Sequence, residues 1–169
     1  MVSVVLTLSS IPTRRRIEYA KGYIELGLVN EASDELEAID GDARMSIEVL
    51  RTRVDLYMEA KLWDMVVAVA KPVCEETPKD GGAWIAWAYA LRELQRVTEA
   101  RDILLRAEPL HGKTSSVLQY NLACYACLLG QMQEARRRLS AACKMDARCK
   151  AEALDDDDLR ALWDDIASG

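Results

Sequence analysis

Few residues in this 169-residue chain could do covalent or metal chemistry: five cysteines and a single histidine, His111. Cys124-x-x-Cys127 has the spacing of a metal or redox half-site, with Cys143 and Cys149 downstream. A zinc site of that type needs a second pair, or a pair plus histidine, because four donors must converge on the ion. A dithiol redox motif needs a strand–helix setting, and this pair falls inside a helical pattern. Small cysteines pack well where helices cross, and that is the role expected of them. His111 follows Pro109 and Leu110 and is expected as an exposed loop residue, with no nucleophile at a spacing that pairs with it. The run Asp155 to Asp158 lacks the alternation of a calcium loop and leads at once into Leu and Trp. It is expected to cap a helix and to present a solvated acidic surface. The sequence has no glycine-rich phosphate loop. We therefore assign no catalytic residue, no metal and no cofactor, and expect a protein that is not an enzyme.

The composition excludes other classes. Half of the residues are hydrophobic and 30% are charged, as in an ordinary globular chain. A net charge of −6 and a pI near 4.9 argue against nucleic acid as a partner. No apolar run is long enough to span a membrane. Met1 to Leu8 is apolar, but Arg14, Arg15 and Arg16 follow it, the wrong order for a secretory signal. The expected location is cytoplasmic, where thiols stay reduced. Two basic residues against seven acidic ones between Lys150 and Gly169 account for five of the six net negative charges.

The elements that must position any site follow from an internal repeat. Ala32, Val66, Ala100 and Ala135 recur at intervals of about 34 residues. Ala20, Val54, Ala88 and Ala123 keep the same interval, as do Ile39, Val73, Ala107 and Ala142. Each unit holds two helical patterns, with apolar residues at i, i+3, i+4 and i+7, as in Leu122, Tyr125, Ala126 and Leu129. Gly27, Lys61, Gln95 and Gly130 share one column at the break between them, and glycine there suits a helix C-cap. The small residues let antiparallel helices approach closely. Such a pair cannot bury its apolar face alone, so the units must stack. Pro72 falls inside a helix and should kink it. Asp40-Gly41-Asp42 should shorten the second helix of the first unit.

The period and residue types resemble the tetratricopeptide repeat (TPR) family, bacterial type, over about residues 13–149. The fourth unit carries Asn121, Leu122, Ala123, Gly130, Glu134, Ala135, Ala142 and Asp146 at the family's spacing; the second is degenerate, with Val66 in place of alanine. The resemblance implies an all-α, right-handed α-solenoid of four TPR helix-turn-helix repeats, at 13–46, 47–80, 81–114 and 116–149. An N-terminal extension, 1–12, precedes them, and an acidic capping helix, 150–169, follows. Leu154, Leu159, Leu162, Trp163 and Ile166 give that cap an apolar stripe.

The resemblance also implies a concave groove lined by the first helix of each repeat. Residues expected there include Ile17, Lys21, Arg51, Thr52, Asp55, Ile85, Tyr89, Arg92, Tyr120, Asn121 and Cys124. Tyr89, Tyr120 and Ile85 would anchor a protein or peptide partner, and Lys21, Arg51 and Arg92 would select a carboxylate. The carboxylate-clamp mode of TPR co-chaperones is rejected, because Ile17, Lys21 and Thr52 stand where that mode needs Lys and Asn. Trp84 and Trp87 are expected in the core, and Arg136, Arg137 and Arg138 as a water-facing run. The expected function is a protein-interaction module, adaptor or chaperone. The alternative is a homo-oligomer whose groove takes residues 1–12 of its own or a neighbouring copy.

Overall fold

The computed structural model describes residues 11–168, and the expected role of the N-terminal extension therefore lies largely outside the described residues. Ten α-helices follow one another: α1 (Thr13–Glu25), α2 (Val29–Glu37), α3 (Ile47–Glu59), α4 (Trp63–Glu76), α5 (Gly81–Glu93), α6 (Val97–His111), α7 (Ser116–Leu128), α8 (Met132–Met145), α9 (Cys149–Asp155) and α10 (Trp163–Ser168). Short 3-10 helices occupy Gly41–Met45 and Asp157–Leu162. The described residues contain no strand. The first eight helices pair antiparallel, and each second helix also packs on the next first one. The odd-numbered helices α1, α3, α5 and α7 stack side by side as an inner row. This is an all-α solenoid.

The columns of the repeat explain the packing. Ala20, Ala88 and Ala123 on the first helices, and Ala32, Val66, Ala100 and Ala135 on the second, are completely buried. Their small side chains sit where paired helices come closest. The core has two parts. Val49 and Leu56 face the α1/α2 pair, whereas Leu50 and Val54 on the same helix join the larger cluster that continues to the C-terminus. Thr52, fully buried between these faces, returns its hydroxyl to the Glu48 carbonyl at 2.9 Å. It cannot line an open surface, and neither can Ile17, which is buried under α2; both depart from the expected groove.

Gly27, Lys61, Gln95 and Gly130 all adopt positive φ, between 55° and 73°. In each turn the next residue's N–H reaches back to the carbonyl five residues earlier: Leu28 to Tyr23, Leu62 to Tyr57, Arg96 to Leu91 and Gln131 to Ala126, at 2.8–2.9 Å. These are four copies of one C-capping motif. Two of them place a side chain where only glycine is unstrained. Gln95→Gly and Lys61→Gly are each expected to stabilise the fold by about 0.5–1 kcal/mol, and Gly130→Ala to destabilise it by about 1 kcal/mol. Urea unfolding checks both signs.

One expectation about loops is corrected. α6 runs through Pro109 to His111, so neither lies in a loop. Pro109 has no N–H to offer the carbonyl of Leu105 one turn back, and Leu105 is an exposed residue. Pro72 lies inside α4, as its position in the repeat implies, with the exposed Ala68 one turn before it. His111 is half-buried against Gly81, and its Nε2 lies 3.0 Å from the Pro78 carbonyl, which also accepts from Trp84 Nε1 at 3.0 Å. Trp84 and Trp87 are buried, with the Arg106 guanidinium over both rings.

The C-terminal cap is three short pieces, α9, a 3-10 turn and α10, in place of one helix. Leu159 and Leu162 are buried, while Leu154 is exposed and Ala153 takes its place in the core. Asp156 caps the 3-10 turn by accepting from the Asp158 N–H at 2.9 Å.

Candidate functional site

The inner row of helices carries two different surfaces. Toward the N-terminus, α1, α3 and α5 leave an open cleft of about 500 Å³. Lys21, Glu48, Arg51, Asp55 and Asp80 ring it, and Ile47, Val54, Val73, Ala83 and Ala86 supply its apolar floor. Arg51 Nε donates to Asp80 Oδ2 at 2.6 Å, and Lys21 lies 3.9 Å from Glu48. Asp80 is anchored in turn, because its other oxygen caps α5 at the Ala83 N–H. Asp55, at the middle of α3, has no basic group within ion-pair distance among the described residues. The walls of the cleft desolvate its carboxyl and raise its pKa above the ordinary aspartate value.

Toward the C-terminus the concave face is covered by the chain's own tail. Arg92 on α5 grips Asp158: Nε donates to Oδ2 at 2.8 Å and a terminal nitrogen donates to Oδ1. The same guanidinium donates to Glu93 at 2.7 Å. These bonds, led by the one to Asp158, hold Arg92 even more firmly protonated than usual. Tyr120 on α7 donates its hydroxyl to Asp156 Oδ2 at 2.9 Å, and burial together with that carboxylate raises its pKa. Cys124, buried beneath, also touches Asp156.

Of the residues expected to meet a partner, Lys21 and Arg51 line the open cleft. Arg92 and Tyr120 are occupied internally, which corrects the reading of the Asp155–Asp158 run as a solvated surface: Asp156 and Asp158 face inward. Tyr89 is 40% exposed and packs its ring edge-on to Trp63. Ile85 is half-buried against the main core, and Asn121 is half-buried on α7 and does not line the cleft. Asp55 and Asp80 emerge as site residues beside them. Asp55 belonged to the expected groove, whereas Asp80 precedes a helix and gave no groove signal.

Cys124, Asp156 and Asp158 form the one group of converging metal-type donors among the described residues, with donor atoms within 4.8 Å of one another. Arg92 already supplies the positive charge that this group attracts, so the cluster reads as an ion-paired contact. The Cys124-x-x-Cys127 pair lies within α7, where burial raises both thiols and opposes thiolate chemistry.

No family model and no curated protein matches the chain. Solved structures do match its fold. A structure of MamA designated MSR-1 superposes with a TM-score of 0.72 at 22% identity, covering 85% of this chain and 82% of that one. One designated AMB-1 gives 0.71 at 21% identity, covering 85% and 78%. TTC0263, a thermophilic TPR protein of Thermus thermophilus, gives 0.67 at 17% identity, covering 94% of this chain and all of that one.

Proposed function

On the premise that the chain has a tetratricopeptide-type fold, we propose that it is a protein-interaction module. It takes an extended peptide in the cleft between α1, α3 and α5. The observation that carries this reading is the cleft itself: it is open, floored by alanines and aliphatic side chains, and ringed by charges placed on rigid helices. Fold alone does not assign the ligand, so its chemistry comes from the residues. Arg51 and Lys21 are drawn to Asp80 and Glu48 and reach Asp55 only through space, so Asp55 makes no direct ion pair of its own. The preferred segment therefore carries a lysine or arginine for Asp55, beside a small apolar side chain for the Ala83/Ala86 floor. This reverses the expectation that the groove selects a carboxylate.

A fluorescent peptide array scored against the purified protein tests the reading. Peptides with an isolated basic residue next to an aliphatic one are expected to bind, and Asp55→Asn to weaken them about tenfold. Unchanged binding by Asp55→Asn, or selection of acidic peptides only, overturns it.

A further inference from the structure

We propose that Cys143 and Cys149 are a reversible redox pair that closes to a disulfide on meeting a small-molecule disulfide of the glutathione type. Their sulfurs lie 2.6 Å apart, well inside the contact distance of two non-bonded sulfur atoms. Cys143 sits in the last turn of α8 and Cys149 opens α9, so a bond between them joins the last full helix of the solenoid to the start of the tail. Both are free thiols.

The two sulfurs are unequally placed. Cys143 is half-buried and opens onto a cleft of about 420 Å³, with Leu139, Leu162 and Ile166 as its apolar part, Lys150 beside them, and Arg136 paired with Asp165 at its rim. That cleft gives a small-molecule disulfide access to the Cys143 sulfur. Cys149 is buried, and its burial against Cys143 raises its pKa. Cys143 is therefore the entering thiol and Cys149 the resolving one. Cys143 loses its proton and attacks one sulfur of the small disulfide, releasing one small thiol and leaving a mixed disulfide. Cys149 then loses its proton and attacks the Cys143 sulfur, releasing the second small thiol. Two protein thiols are oxidised, one small disulfide is reduced to two thiols, and two electrons pass between them. The staple fixes the origin of the segment that carries Asp156 and Asp158 onto the groove.

The test uses the full chain, incubated with glutathione disulfide, alkylated and digested with trypsin without reduction. Cleavage after Arg138, Lys144, Arg148 and Lys150 leaves Leu139–Lys144 joined to Cys149–Lys150 only through the proposed bond. The joined peptide is expected, with free thiols falling from the five of the sequence by a pair and dithiothreitol restoring them. The oxidised protein is expected to melt about 5 °C higher than the reduced one, a rise absent from Cys143→Ser. Three outcomes overturn the proposal: all thiols remain free, a glutathione adduct persists on Cys143 without the cross-link, or the bond forms between Cys124 and Cys127 or between two chains.

Discussion

Arg138→Ala is expected to lower the unfolding free energy by about 3 kcal/mol, among the largest losses available from a polar side chain in this chain. Only 6% of the Arg138 side chain is exposed. From α8 it donates to Glu134 at 2.7 Å, to Gln119 on α7 at 2.9 Å and to both carboxylate oxygens of Glu108 on α6. Gln119, itself buried, passes its amide to the Gly112 carbonyl at 2.9 Å. One guanidinium thus ties three consecutive helices together. Removing it leaves the Glu108 carboxylate and the buried Gln119 amide oxygen without this donor, while Glu134 keeps Arg137, and the uncompensated burial costs more than the ion pairs themselves contribute. Replacing Arg138 by Met together with Glu108 and Glu134 by Leu is expected to recover part of the loss, because the carboxylates are then gone and only the buried Gln119 amide oxygen is left without its donor.

The same network sets an acid dependence. Glu134 is held down to about 2, chiefly by its bond to Arg137 and also by Arg138, and Glu108 lies below its ordinary value through Arg138. Both are more acidic folded than unfolded. Their contribution is complete above the unfolded value of 4.5 and drains away as pH falls toward 2, where the unfolded chain binds more protons. Urea unfolding at pH 7 and pH 3 should show a smaller gap for Arg138→Ala than for the parent. An equal gap would place the acid sensitivity elsewhere.

How much of this could be read from the residues divides by distance along the chain. The repeat was legible because capping and close helix contact are local: the Gly27/Lys61/Gln95/Gly130 column marked four left-handed turns, and the alanine columns marked the helix crossings. Arg138 was misjudged as part of a solvated run, although a local signal existed. Successive helical residues turn by about 100°, so Arg136 and Arg137 point outward while Arg138 falls on the stripe of Ala135, Leu139 and Ala142. In the structure Arg136 instead reaches Asp165 of the tail at 2.7 Å, and Arg137 stays exposed. Pro109 misled for a different reason. A missing backbone bond is harmless where its carbonyl faces water, and spacing alone does not show which face that is. The occupied half of the groove had no local signal at all. Arg92 and Asp158 are 66 positions apart, and only the packing of the tail brings the carboxylate to the guanidinium.

The tail's hold on the groove yields the other large prediction. Leu159 and Leu162 are 0% and 1% exposed and are the main apolar anchors of the segment that lies on α7. Truncating either to alanine is expected to cost about 3 kcal/mol, and the pair about 5 kcal/mol. That total exceeds what a segment of short helices, docked through few side chains, can hold in reserve, so the double variant should release the tail locally. Amides of α9, the 3-10 turn and α10 should then exchange rapidly, while those of α3 to α6 remain protected. Release also frees Tyr120 from burial and from Asp156, so its ionisation should fall back toward the ordinary tyrosine value of about 10. Ultraviolet titration of the phenolate should register one more tyrosine ionising in that range. Asp156→Asn offers a gentler comparison: it removes only the carboxylate, so the ionisation of Tyr120 should shift less. If the double leucine variant instead loses protection throughout α3 to α6, the tail is part of one cooperative core and not a detachable cover. The Arg92–Asp158 contact would then serve the fold alone, and the part of the inner helix row left open to a partner among the described residues would be the cleft around Asp55.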